Sequence, residues 1–355
     1  MNTPFTYAPL PARVLFGAGR AAELPAELAA LGAHRAMVLS TPAQREMATG
    51  IAAPLGDAFG AAFSGAAMHT PVEVTERALD ALREAGCDGL VAIGGGSTTG
   101  LAKALALRTG LPQVVIPTTY AGSEVTPILG QTEGGMKSTL RSPKVLPQVV
   151  IYDPDLTLSL PPSLSATSGL NAIAHAVEAL YARDANPVVS LMAEEGIRAL
   201  GAALPAIMAN PSDCVARAGA LYGAWLCGTC LGAVGMALHH KLCHVLGGTF
   251  DLPHAETHAV ILPHAAAYNA PAAPDALRRA SRALGAEEAG PALAALSARL
   301  GAPRALRDLG MPEDGIGTAV RLTLESTYPN PRTPDAASLT ALLRRAWAGE
   351  PPMAE

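Results

Sequence analysis

The feature that most constrains this chain is an alternation that stops partway along it. Up to about residue 155, short β-rich runs are bounded by Gly, Pro or polar residues: RAMVLS, GLVAIGG, QVVIPTT and QVVIYD. Helical stretches such as AAELPAELAAL, EVTERALDALREAG and GLAKALALR lie between them. Strands alternating with helices predict a doubly wound, mostly parallel, Rossmann-like sheet with helices on both faces. After YDPDLTLSLPPSLSATSG the strand signal fades, and residues 163–350 hold Ala- and Leu-rich helical stretches split by ANPSD, NAPAAPD and YPNPRTPD. The expected organisation is therefore an α/β domain over 1–157 and an all-α domain over 158–355.

Half of the 355 residues are hydrophobic and 15% are charged, which is the balance of a packed globular chain. A net charge of −5 with no basic run argues against a nucleic-acid partner. No export leader is read in MNTPFTYAPLPARVLFGAGR, and no uninterrupted apolar run of about 18 residues predicts a membrane span. Five cysteines, odd in number and unevenly spread, read as reduced thiols of a cytoplasmic protein. The CGTC pair at 227–230 sits in a small-residue helix, where packing is favoured over redox chemistry.

In GCDGLVAIGGGSTTGLAKALAL, a β-rich run ends at Ile93 and Gly94, Gly95 and Gly96 follow. Ser97 is then expected to cap a helix. Glycines there let backbone N–H groups approach a phosphate, and the helix N-terminus favours negative charge. An ordinary tight turn fits the same residues. The next strand leads into IPTTYAGSEVTP, which places Thr118, Thr119 and Ser123 at the same sheet edge, and that raises the case for a dinucleotide. Lys137 is either a further positive charge for it or a solvated loop lysine. The strand RAMVLSTP ends in Ser40, Thr41 and Pro42 with no acidic residue, so nothing there would repel a ribose 2′-phosphate.

Seven of the nine histidines lie between residues 175 and 264. In SGLNAIAHAVEAL, Asn171 and His175 share a helix face, as do His240 and His244 in HHKLCHVLGG. His254 and His258 follow, across a Gly-Gly break expected to permit a turn. Four or five converging imidazoles form a site more readily than chance does. On the residues alone, a bound metal and a metal-free site both fit.

GGGS, PTT…GSE, GLNAIAHAVEA, HHKLCHVLGG and LPHAETHAVILPH, in this order, resemble the iron-containing (group III) alcohol dehydrogenases over nearly the whole chain. The resemblance implies a dinucleotide-binding α/β domain, a helical domain and an active site in the cleft between them. The family's metal ligands, an Asp and three His, fall on Asn171, His175, His240 and His254, and His244 matches a histidine near the nicotinamide. Asn171, PTTYAGSEVTPI, HHKLCHVLGGTFDLPHAETH and YPNPR resemble one branch, the maleylacetate reductases. That branch reduces the carbon–carbon double bond of maleylacetate with NADH or NADPH, without a metal, to 3-oxoadipate in aromatic compound degradation.

The resemblance implies catalytic roles for His244, His240, His175, Lys241 and His254. Hydride addition to an alkene conjugated with a ketone leaves an enolate, which hydrogen-bond donors can stabilise, and a histidine titrating near neutrality suits the proton transfer. For the dicarboxylate substrate, His239 and Lys241 with the other histidines are expected to form a cationic pocket. Asn171, Tyr328 and Arg332 are further contacts, though Arg332 equally reads as a surface loop charge. A homodimer is expected. The competing readings are a metal-dependent alcohol dehydrogenase of the same fold, a dehydroquinate synthase-like lyase that recycles NAD, and a nucleotide binder without catalysis.

Overall fold

The computed structural model describes residues 5–10 and 12–354, so the first four residues of the segment read for a leader lie outside it. The chain divides into two compact units, one spanning 9–160 and the other 161–354 together with 5–8.

The first unit is built on six parallel strands. These are β1 (Arg13–Phe16), β2 (Ala36–Leu39), β3 (Phe59–Phe63), β4 (Gly89–Gly94), β5 (Gln113–Pro117) and β8 (Val149–Tyr152), in the order β1-β8-β5-β4-β2-β3. A separate antiparallel hairpin pairs β6 (Ile128–Glu133) with β7 (Met136–Arg141). Every residue of β2, β4, β5 and β8 is buried, as a parallel sheet covered on both faces requires. Alternate side chains sort to opposite faces. Val38, Val91, Ile93, Val114 and Ile116 pack with Leu24 and Leu28 of α1 (Leu24–Ala30) and with Ala48 and Ala52 of α2 (Arg45–Ala52). Met37, Leu39, Leu90, Ala92 and Val115 pack with Leu79 and Leu82 of α3 (Val72–Glu84) and with Leu101 and Leu105 of α4 (Gly96–Thr109).

The helical unit comprises α5 (Pro162–Leu180), α6 (Pro187–Ala209), α7 (Cys214–Ala233), α8 (Leu238–Phe250), α9 (His254–Asn269), α10 (Pro274–Ala283), α11 (Ala289–Arg299), α12 (Gly315–Leu324) and α13 (Ala336–Ala348). Close approach of α6 and α7 depends on Gly196 and Gly223, where an added Cβ would lie 2.7 Å from Cys227 Sγ and 2.8 Å from Leu200 Cγ. The CGTC cysteines are thus buried packing residues, and burial pushes the Cys230 thiol up to about 12. Helix α7 has the length and mean hydropathy of a membrane span, but more than half of that stretch is buried in the protein, as in a core helix. The Gly247–Gly248 pair does not break the chain. Helix α8 runs through it to Phe250, and the turn falls at Asp251, which adopts a left-handed φ of 53° ahead of the N-capping Pro253.

Candidate active site

In the α/β unit, the chain runs from β2 outward to β3 and then returns to β4 on the other side of β2. Ligands of doubly wound sheets bind beyond the strand carboxyl ends where this reversal occurs. The loops after β2 and β4 flank that point, and the loop after β5 is next to them. Thr41, Gly94–Ser97 and Thr118–Ser123 therefore share one edge.

These loops are tied together. Thr41 Oγ1 donates to Gln44 Oε1 at 3.1 Å, Gln44 Nε2 donates to Thr118 Oγ1 at 2.9 Å, and the Thr118 N–H reaches the Gly94 carbonyl at 3.0 Å. Gly94 has a φ of 152°, and a Cβ there would meet Thr98 Oγ1 at 2.5 Å and Gln44 Oε1 at 2.7 Å. Only glycine fits. A Cβ on Gly95 would come within 2.8 Å of Thr119. Ser97 does not cap the helix as expected. Gly95 occupies the N-cap, Ser97 lies inside the first turn, and no side chain caps this end; the Thr98 and Thr99 N–H groups bond to the Gly95 carbonyl, which leaves those of Gly96 and Ser97 to face an anion. Lys137 is exposed on β7, opposite Thr132, whose N–H bonds to the Thr70 carbonyl in the segment after β3.

Two residues at this edge escaped the sequence reading. Gln44 carried no signal. Lys103 did, as a charge in the middle of an Ala/Leu stretch, and it is fully buried with its ammonium against the Ser123–Ile128 segment.

In the helical unit, α5 contributes Asn171, His175 and Glu178, α8 contributes His239, His240, Lys241 and His244, and α9 contributes His254 and His258. The imidazoles form one contiguous group. Ring centroids of His240 lie 5.1 Å from His175, 5.1 Å from His239, 5.0 Å from His258 and 6.2 Å from His244, while His254 lies 4.2 Å from His258.

Glu178 organises this group. Its carboxylate is fully buried and accepts from the N–H of Ala237 at 2.9 Å, the N–H of His239 at 2.7 Å and His240 Nδ1 at 2.7 Å. Asn330 Oδ1 accepts the intervening Leu238 N–H at 3.3 Å. Helix α8 has no cap of its own, so side chains from elsewhere satisfy the donors of its first turn, and the carboxylate suits the positive helix end. Because Nδ1–H of His240 is given to Glu178, its Nε2 carries the lone pair. His239 is fixed the other way, its Nε2 donating to the His258 carbonyl at 3.1 Å.

Several buried polar atoms have no hydrogen-bond partner within the protein: Asn171 Oδ1, His175 Nδ1, His240 Nε2, both nitrogens of His258 and the Tyr328 hydroxyl. Such atoms in a native site call for a ligand or water. Nearby, Lys241 Nζ donates to Ser326 Oγ at 2.7 Å and lies 5.9 Å from the Tyr328 ring centroid. Arg332 is not a free surface charge. Its guanidinium stacks 4.2 Å over the buried Tyr268 ring, and Asn330 pairs with Asn269 of α9, which anchors the YPNPR segment to this unit.

The expected cationic pocket needs correction. Burial is the leading cause that holds His175, His240 and His258 well below the ordinary imidazole range and His239 at about 4, with neighbouring histidines adding to it. These four rings are neutral at pH 7. Positive charge near the cluster comes from Lys241 and Arg332.

Among the described residues, His239, His240 and His258 each bring a ring nitrogen within 4.8 Å of the other two, a group that could hold a metal ion and that includes one matched position, His240. Another matched position, Asn171, brings no charge.

The profile for iron-containing alcohol dehydrogenases matches residues 11–154, and that for the C-terminal part of the Fe-containing alcohol dehydrogenase family matches residues 165–347. The chain belongs to the iron-containing alcohol dehydrogenase family. It is an oxidoreductase of that family. A maleylacetate reductase of Sphingobium indicum is 58% identical over 98% of this chain and 99% of its own length. The crystal structure of a maleylacetate reductase from Agrobacterium tumefaciens matches with a TM-score of 0.96 at 56% identity, covering 99% of this chain and all of the other. That of the Rhizobium sp. enzyme matches with a TM-score of 0.95 at 57% identity, again over 99% of this chain and all of the other.

Proposed function

We propose that this chain reduces the carbon–carbon double bond of maleylacetate with NADH or NADPH, without a metal ion, to give 3-oxoadipate. Its supports are the similarity to maleylacetate reductases over the whole chain and one observation in the site, the neutral Asn171 whose buried oxygen has no partner. The coenzyme is held at the sheet edge. The N-terminus of α4 would hold its pyrophosphate, with Thr118, Thr119 and Ser123 as hydroxyl donors and Thr41 available to the ribose. The absence of an acidic residue there favours acceptance of both coenzymes.

In this reading, hydride adds to the alkene carbon remote from the ketone, and the electron pair passes into an enolate. A proton then completes the adjacent carbon. Neutral His240 presents a lone pair at Nε2, so it accepts hydrogen bonds and is not the resting acid. The Tyr328 hydroxyl is a better hydrogen-bond donor to the enolate oxygen: burial raises its pKa, so it keeps its proton at pH 7, and the Lys241 ammonium lies beside its ring. Lys241 and Arg332 meet the substrate carboxylates, with His244 and His254 lining the approach. The free thiols suit a cytoplasmic enzyme.

The deciding assay follows loss of reduced-coenzyme absorbance with maleylacetate, using each coenzyme, with and without chelator. Turnover that survives chelation supports the reading in full. Loss on chelation with recovery on Fe²⁺ or Zn²⁺ removes its metal-free part, and turnover of simple alcohols alone removes its substrate.

A further inference from the structure

Lys103 lies seven residues into α4, two turns below the glycine loop on the same helix. It is fully buried, yet its ammonium is close to five oxygens. These are the Ser123 carbonyl at 2.5 Å and hydroxyl at 3.4 Å, the Thr126 carbonyl at 2.8 Å and hydroxyl at 3.0 Å, and the Ile128 carbonyl at 2.8 Å. An ammonium has three N–H donors, and three of these acceptors are carbonyls of one short segment. Glu124, 1% exposed in the same segment, provides a nearby carboxylate, which itself accepts from the Tyr152 hydroxyl of β8 at 2.9 Å. Burial pulls Lys103 down to about 7, and Glu124 acts against that, as do the oxygen acceptors. A buried ammonium used only as core filler would be costly compared with the Ala and Leu residues around it. Here it joins two loops. The helix that begins at the glycine loop grips, through one side chain, the loop that follows β5.

We propose that Lys103 is a positioning residue of the coenzyme site, clamping the 118–128 loop to α4 so that Thr118, Thr119 and Ser123 are presented together with the glycine-loop N–H groups. The inference rests on the dinucleotide reading of this sheet edge. Thr126 is part of the clamp, because its hydroxyl both meets Lys103 and donates to the Ser123 carbonyl at 3.0 Å.

The test uses the full chain as wild type, Lys103→Met and Thr126→Val. Affinity for NADH and NADPH is measured by equilibrium titration, and amide exchange is followed along the α/β unit. Lys103→Met should weaken coenzyme binding by about tenfold or more, with KM for coenzyme rising far more than KM for maleylacetate and exchange rising in 118–128. Thr126→Val should shift binding the same way by about two- to fivefold. A folded Lys103→Met protein that binds coenzyme within twofold of wild type overturns the proposal, as does exchange that rises evenly across the unit. If Lys103→Met does not fold, Thr126→Val decides, and unchanged binding there refutes the clamp. Wild type that binds neither coenzyme removes the dinucleotide reading and this inference with it. Wild type that binds while both variants bind alike removes only the role of Lys103.

Discussion

Replacing Glu178 tests whether His240 is held ready by the protein or only happens to lie in the cluster. The wild-type carboxylate accepts three N–H bonds, two from the start of α8 and one from His240 Nδ1. In Glu178→Gln the shape survives, but the charge is lost and the amide NH₂ faces at least one N–H donor. A charge-assisted bond is about twice as strong as a neutral one, so the restraint on His240 weakens by about 1–1.5 kcal/mol, and turnover should fall by about tenfold. Glu178→Ala removes all three acceptors. Two backbone N–H groups at the head of α8 are then buried without partners, at about 1–3 kcal/mol each, and the imidazole is free to rotate or change tautomer. Turnover should then fall by about 100-fold or more, the scale of a lost acid–base or orienting group. Burial raises the Glu178 carboxyl, while the backbone N–H bonds from Ala237 and His239 act against it, and the convergence of three N–H donors on its oxygens suits an acceptor-only carboxylate. The assay is steady-state coenzyme oxidation with maleylacetate, with coenzyme affinity and thermal melting measured on the same samples. A folded Glu178→Ala protein that turns over within threefold of wild type would refute the reasoning.

The remaining tests address separate parts of the molecule. Gly94→Ala should lower coenzyme affinity by about tenfold or more, because a Cβ at φ 152° collides with Thr98 and Gln44; equilibrium titration checks it. Tyr328→Phe, which removes only the hydroxyl, should lower kcat by about 10²-fold with coenzyme binding retained, and a rate near wild type would exclude Tyr328 as the donor. Thermal melts over a pH series should show acid lability. His175, His239, His240, His258 and His264 are held below the ordinary imidazole range, so the unfolded chain binds protons the folded one refuses, and stability is lost as pH falls from about 6.5 towards 4, by up to about 1.4 kcal/mol per pH unit for each histidine. Glu124 and Glu178, held above the carboxylate range, oppose this at the acid end; a flat profile would contradict the buried neutral cluster. Asn171→Asp should raise affinity for Zn²⁺, read by elemental analysis after dialysis, and unchanged affinity would show that the missing charge is not what keeps a metal out.

The α/β plan was legible because a buried parallel sheet needs near-continuous apolar runs, and β2, β4, β5 and β8 have them. Strand β3, FGAAF, holds three small residues between two Phe and forms at the sheet edge through tertiary pairing, β6 mixes apolar and polar residues, and β7 is largely exposed; none of the three announced itself. The histidines of α5, α8 and α9 could be placed on shared faces from their spacing. What spacing could not reveal was connectivity. Nothing in HAVEA marks Glu178 as the acceptor for a helix start about sixty residues later, or shows which nitrogen of His240 it leaves bare. The predicted Gly-Gly turn failed for a related reason, since glycine permits a turn but Asp251 and Pro253 impose one.

The neutrality of the buried imidazoles bears on the choice between reaction classes. Carbonyl reduction places charge on a single oxygen, and a divalent ion is an effective way to meet it. At the matched positions here, Asn171 has lost the anion that would hold such an ion, and His175 and His240 are uncharged. A set like this can accept hydrogen bonds and orient a substrate, but it supplies little positive potential of its own. That is a poor environment for a localised alkoxide and a tolerable one for an enolate, whose charge is shared between carbon and oxygen and which needs only one or two good donors. Tyr328 and Lys241 are such donors, and both lie near the cluster without joining the neutral network that Glu178 organises. The substitution at 171 and the way Glu178 fixes His240 therefore favour the same chemistry: reduction of a conjugated double bond, with side-chain protons doing what a cation would do for a ketone.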